Sequence, residues 1–243
     1  MSILDAKPIS DLPSGKLVIV YGRSGSGKTW FGGSFPKPLL YLKIGDDGGN
    51  TIKNVDGIFV HEVETVGKLK MALEECMKDK KYKSVFVDTF SLLVNEWKNE
   101  NIISKSKKMT QQAWGDLLSD TEECIRIAHK LSLKKWVILS CHEATDAIDG
   151  MEDELLPDVR ASVSKGARTY LEGMANYGIH TIKIQKEVDN PKTGETELKV
   201  KFAAEIGPNP YYWTKLQVDP STKVPKRIIN PTFDKLMQVV ENK

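Results

Sequence analysis

Eight residues near the start of the sequence, Gly22-Arg23-Ser24-Gly25-Ser26-Gly27-Lys28-Thr29, constrain the fold more than any other stretch. They fit the pattern G-x-x-x-x-G-K-[ST]. Its glycines let successive backbone N–H groups curl around an anion, Lys28 brings a mobile positive charge, and Thr29 a hydroxyl suited to a hard cation. The device needs a buried strand to deliver the loop and a helix to receive it, because the helix start adds its own N–H donors. Both flanks are present. Leu17–Tyr21 is short, apolar and β-branched and ends at a glycine, and a helix is predicted from about Lys28 to just before Pro36. Composition alone would place such an octapeptide in about one chain in a hundred of this length. In this setting a phosphate-binding loop is a better reading than a solvated glycine-serine turn.

A second signal, a strand ending in a carboxylate, completes the pattern. Ser84–Asp88 is apolar until its last residue, and it lies about 60 residues after the loop. A carboxylate at that place, opposite the Thr29 hydroxyl, holds the hydration shell of Mg²⁺ on a bound nucleoside triphosphate. The predicted site is therefore Gly22, Arg23, Ser24, Gly25, Ser26, Gly27, Lys28 and Thr29 for the phosphates, with Thr29 and Asp88 on the metal.

The rest of the chain alternates in the same way. Leu39–Ile44 and Ile58–Val63 read as strands, residues 65–79 as an amphipathic helix, 90–103 and 111–132 as helices, and Trp136–Cys141 as a strand. Trp114 falls on the apolar stripe of 111–132, which predicts core packing. Strands separated by helices imply parallel pairing with helices on both faces. The C-terminal third differs. His180–Lys186 and Glu197–Phe202 flank a turn-rich segment and predict an antiparallel hairpin. Tyr211–Val218 reads as a further strand, and Asn230-Pro231 as a helix cap followed by proline. The expected fold is α/β, mainly parallel with an antiparallel extension, with residues 1–15 as an arm and 16–243 as one domain.

Net charge is +2 in 243 residues, so no general field advertises a polyanion and any such partner needs a local patch. Residues 98–108 hold four lysines and one glutamate, making Lys105, Lys107 and Lys108 candidates for DNA phosphates, although a charge run is more often a solvated connection. Residues 143–158 carry seven acids and no base, which repels phosphate; the basic group Arg160, Lys165 and Arg168 follows. Three well-separated cysteines without a CxxC pair argue against a disulfide framework or zinc. The longest apolar runs fall far short of a membrane span, so a cytoplasmic chain is expected.

Val85-Phe86-Val87-Asp88-Thr89-Phe90 resembles the second motif of RecA-like ATPases, an apolar strand ending in Asp-[Ser/Thr]. The run from Pro38 to Asp47-Gly48-Gly49 resembles the E-G-G stretch of phage-encoded RecA-like nucleotide-binding proteins, Gln112-Ala113-Trp114-Gly115 their helix-start motif, and Val137–His142 their sensor strand. The chain from about residue 14 to 240 is similar to the RecA-like single-strand annealing ATPases of bacteriophages. That resemblance implies MgATP as cofactor and Asp47, with Asp46 as understudy, as the group activating water. It implies His142 as a γ-phosphate sensor and Lys215 as a residue acting in a neighbouring subunit's site. It further implies single-stranded DNA, a ring or filament of copies, and a single-strand DNA-binding protein as partners, in a bacterial host cell. Two departures are visible. Aspartate stands for the family's glutamate at 47, and Gln217 stands where an arginine follows the lysine. Two other classes compete: a small-molecule phosphotransferase, and a nucleotide-gated DNA-binding scaffold with little turnover.

Overall fold

β1 (Leu17–Tyr21) is buried along its whole length, and its side chains enter two different cores. Leu17, Ile19 and Tyr21 face one and Val18 and Val20 the other, as the two-residue period of a strand requires. A strand covered on both faces belongs in the middle of a sheet. The computed structural model describes residue 8 and residues 11–45, 48–105, 107–149, 155–189 and 196–242. Within them β1 pairs in parallel with β5 (Trp136–Cys141) on one side and β8 (Tyr177–Asp189) on the other. Beyond β5 come β4 (Ser84–Asp88), β2 (Leu39–Ile44) and the edge strand β3 (Ile58–Val63), all parallel. Beyond β8 the pairing turns antiparallel through β9 (Thr196–Glu205) to β11 (Arg227–Ile229), and the two-residue β10 (Lys215–Leu216) also pairs with β8.

Helices cover both faces. α1 (Lys28–Gly33) and α6 (Phe233–Val240) lie on the Val18 side, where Phe31, Phe35 and Leu236 are fully buried. α2 (Val66–Lys78), α3 (Leu93–Lys98), α4 (Gln111–Ser132) and α5 (Lys165–Met174) lie on the other. α4 buries Leu117, Cys124, Ile125, Ala128 and Leu131 as one stripe. At about 1.5–3 kcal/mol for each large side chain, that stripe outweighs any preference of its polar outer face. Thr65 and Thr110 cap α2 and α4, each accepting from the amide three residues on. The three cysteines are free and buried, and burial pushes their thiols up, to about 11 at Cys76 and about 12 at Cys124 and Cys141.

Several expectations change. Residues 90–103 are not one helix but a 3-10 turn (Phe90–Leu92), α3 and a π turn (Asn99–Ile103). The cap of α6 is Thr232, whose hydroxyl accepts from Lys235 N, and not Asn230, which takes a positive φ of 46°. Strand Tyr211–Val218 shrinks to β10, because the Tyr211 carbonyl and Trp213 amide pair with Val159 of a neighbouring hairpin strand rather than with β8. Trp114 is half exposed rather than in the core, with the Lys98 ammonium 4.9 Å from its ring centre. Residues on either side of the acidic stretch's centre form a separate hairpin, β6 (Glu143–Asp149) with β7 (Leu155–Ala161), and Arg160 of β7 itself and Arg168 of α5 supply counter-charges. Arg168 pairs with Asp146, and Arg160 with Asp158 and Glu172.

Candidate phosphate and metal site

The loop from Gly22 to Gly27 joins β1 to α1, as the sequence predicts. Gly22 sits at φ 157°, and a Cβ there would meet the Thr181 carbonyl at 2.3 Å and the Ser26 hydroxyl at 2.7 Å. No side chain fits between the loop and β8. Ser26 Oγ lies 2.7 Å from Thr181 Oγ1, which donates to the Tyr21 carbonyl, so the loop is tied to β8 by two hydroxyls. Lys28 is buried, and its ammonium donates to the Gly22 and Arg23 carbonyls at 2.9 Å each. It therefore rests over the centre of the loop, where an anion seated on the backbone amides would meet it.

β5 lies between β1 and β4, so the carboxylate strand is one strand removed from the loop strand. The following residue, Thr29, bridges that gap by donating to Asp88 Oδ2 at 2.7 Å. Tyr41 donates to the same oxygen at 3.2 Å, while Thr89 (3.0 Å) and Ser140 donate to Oδ1. Four donors fix the carboxylate. Among the described residues no three His, Cys, Asp or Glu side chains form a metal cage. Mg²⁺ is held through one or two carboxylates, waters and substrate phosphates, so the adjoining Thr29 hydroxyl and Asp88 carboxylate are a donor set of the right kind. Thr29 and Asp88 are the residues that would hold it.

These groups line a cavity of about 400 Å³ together with Ser24, Gly25, Gly27, Gly48, Thr51, Trp30 and Phe202. The last two are aromatic and substantially exposed, at 52% and 37%. Phe202 lies over the loop, 3.1 Å from where a Gly27 Cβ would be. Neither residue stands out in the sequence. Trp30 could have been found as the first side chain after the loop motif, Phe202 only from the fold. Gly48, at φ 73°, approaches so closely that a Cβ would lie 2.5 Å from Thr29 Oγ1 and 3.1 Å from Asp88 Oδ2. Asp46 and Asp47, the expected water-activating groups, lie outside the described residues.

A further network escaped sequence reading. Arg23 Nε donates to Glu143 Oε1 and His180 Nε2 to Glu143 Oε2, both at 2.8 Å. His180 is buried and stacked on Tyr212. Burial pushes His180 below its ordinary value although Glu143 opposes this, so it is neutral with the proton on Nε2. Burial would raise Glu143, but the His180 and Arg23 hydrogen bonds prevail and hold it below the usual carboxylate value. The largely buried His180–Glu143 pair thus faces an exposed Arg23 at one end of the phosphate loop, a contact between the loop and the start of β6.

The remaining predicted residues are scattered. His142 follows the end of β5, where its backbone amide donates to Ser91 Oγ at 2.9 Å, and it is not among the residues lining the cavity. The Lys215 ammonium donates to the Glu172 and Gly173 carbonyls at the end of α5, and burial lowers its pKa. Lys105, Lys107 and Lys108 are exposed, with Lys105 donating to Asn101. Lys165 is exposed, whereas Arg160 and Arg168 are engaged in the ion pairs above.

No helix among the described residues is long and apolar enough to cross a membrane. No curated protein matches the chain. A family model described as an AAA domain matches residues 14–205, which spans the loop, the Asp88 strand and the β8–β9 pair. That match takes in well over half the chain and the whole phosphate and metal site, and the protein therefore belongs to this AAA-domain family of P-loop ATPases.

Proposed function

We propose that the protein is an ATPase of the RecA-like type whose turnover is coupled to single-stranded DNA, and that it pairs or anneals strands in phage recombination. The observation that carries the nucleotide part is the Thr29–Asp88 hydrogen bond beneath a loop already centred on Lys28. In this reading Lys28 turns from the Gly22 and Arg23 carbonyls to the β- and γ-phosphates, and the loop amides orient them. Bound Mg²⁺ supplies charge neutralisation on the phosphate oxygens. Trp30 and Phe202 offer aromatic faces at the mouth of the cavity, against which a nucleobase stacks.

Asp47 orients and deprotonates the attacking water. Asp47 directly precedes Gly48 in the sequence, and Gly48 packs closely against Thr29 and Asp88. Single-stranded DNA meets the same end of the sheet. α4 runs back from there to the start of β5, leaving Trp114, Lys98 and the loop lysines 105, 107 and 108 beside the nucleotide end. An exposed tryptophan among cations suits an unpaired base. The test is ATP turnover by the full chain with and without single-stranded DNA. Mg²⁺-dependent hydrolysis raised by DNA supports the reading; turnover indifferent to DNA removes the coupling.

A further inference from the structure

The opposite end of the sheet carries a feature that the sequence conceals. The parallel strands β1, β5 and β4 are neighbours, and each begins directly after a lysine: Lys16, Lys135 and Lys83. The register puts these starts side by side, since Trp136 N donates to the Lys83 carbonyl at 3.2 Å and Val137 N to the Lys16 carbonyl at 3.0 Å. Lys78 and Lys80 arrive from the end of α2, and Lys134 from the segment after α4. All six line one open concavity of about 560 Å³, with Asp79 as the only acid among the described residues of its lining. The local charge is +5 in a chain whose total is +2.

Lys135 is spoken for, because its ammonium is buried and donates to the Asp79 carbonyl at 2.5 Å. None of the other five is ion-paired among the described residues, and Lys78, Lys80, Lys83 and Lys134 are exposed. Lysine beside a helix C-terminus complements the helix dipole, which accounts for Lys78 and Lys134. Lys16 lies over the Trp136 ring, 5.9 Å from its centre, and Lys134 donates to the Met77 carbonyl at 3.4 Å, while Lys80 and Lys83 have neither kind of partner among the described residues. None of these contacts neutralises charge, so five cations without an acid partner repel one another unless an anion sits among them.

We propose that this concavity binds the backbone of a single-stranded nucleic acid, as a second strand-holding surface remote from the nucleotide. The ligand class rests on the function proposed above; the location does not. Trp136 and Tyr82 line the same hollow, but Trp136 packs on Phe35, Tyr177 and Phe233 and Tyr82 on Phe59, so the lysines and not the rings carry the recognition of the backbone. A concave surface also favours a threaded strand over a flat anionic bilayer. Strand pairing needs two strands held at once, and the two ends of the sheet provide two surfaces.

The test uses the full chain and a labelled oligothymidylate of about 30 nucleotides, titrated between about 50 and 300 mM salt. Three proteins are compared: the wild type, Lys80→Ala/Lys83→Ala/Lys134→Ala, and Lys105→Ala/Lys107→Ala/Lys108→Ala. All six positions are exposed, and retained MgATP binding verifies the fold of each variant. Each lost phosphate contact removes about 0.7 from the slope of log K against log salt. The first variant should therefore flatten the slope by about 2 units and bind roughly 10²-fold more weakly at low salt, with the loop lysines intact. A slope unchanged in that variant overturns the proposal while leaving DNA binding itself standing, as does a second variant that alone abolishes binding. A wild type that does not bind the oligonucleotide overturns both. Binding to phosphatidylserine vesicles that depends on these lysines, without oligonucleotide binding, overturns the proposal in favour of a membrane surface.

Discussion

The same parallel strands present two different chemistries at their two ends. At their C-terminal ends the chain offers directional groups: loop amides, the hydroxyl of Thr29 and a carboxylate pinned by four donors. Close approach there depends on residues without side chains, Gly22 against β8 and Gly48 against Thr29 and Asp88. At their N-terminal ends the strands offer point charges set out by register, with few hydrogen-bonding constraints on what they meet. Loops leaving a strand can be shaped around one small ligand, whereas strand starts are fixed by their neighbours. The first end is thus suited to a reaction that needs geometry, the second to a polymer that needs only charge.

Predictions follow from that contrast, and each changes one end while the other serves as control. Lys28→Ala should have the largest effect. It removes a charged donor from the centre of the loop, worth up to about 3 kcal/mol, so MgATP affinity should fall by roughly 10²-fold. Oligonucleotide binding at the lysine-lined end should persist, and titration calorimetry with each ligand checks both halves. Wild-type affinity for MgATP in the folded variant would show that the loop does not seat the phosphates under Lys28.

Asp47→Asn should leave nucleotide binding in place but slow turnover about 10²-fold, the scale of a lost positioned base. Near-normal turnover would move the role to Asp46. Trp30→Ala should weaken MgATP binding by roughly 10-fold, the lower part of the range for one stacked base, without changing affinity for Mg-tripolyphosphate. Equal losses for both ligands would show that Trp30 shapes the loop and does not meet a base.

The smallest effect is on stability. Because burial holds His180 below its ordinary 6.5, the unfolded chain takes up a proton there before the folded chain does. Its contribution is therefore constant above that pH and diminishes as pH falls below it. His180→Gln keeps a donor toward Glu143 and removes the titration, so its urea midpoint should depend less on pH in that range. Parallel midpoints for the two proteins would show that His180 does not set the acid dependence.

The sequence shows the nucleotide end because its signals are local. A buried apolar run, a glycine-rich octapeptide and a strand ending in Asp88 each lie within a few residues and follow from strand and loop chemistry. Helices α2 and α4 are equally legible from their apolar stripes, apart from Trp114, which the stripe misplaces: Ala113 and Leu118 take the places against the core, while Trp114 stays half exposed under the Lys98 ammonium. The β6–β7 hairpin was invisible for a different reason. Asp158 is paired with Arg160 and Asp146 with Arg168 of α5, and no local pattern announces a pairing made in three dimensions. Glu143 and His180 are 37 residues apart and meet only because β8 lies beside β1. The lysine concavity depends on three segments more than 50 residues apart in chain order brought together by strand register. A near-neutral total charge gave no hint of it.

The most direct test of the account is steady-state ATP hydrolysis by the full chain, in Mg²⁺, with and without single-stranded DNA, beside Lys28→Ala as control. The account predicts Mg²⁺-dependent turnover in the wild type, a several-fold rise on adding DNA, and loss of both in the variant. A folded wild type that neither binds nor hydrolyses MgATP would contradict it.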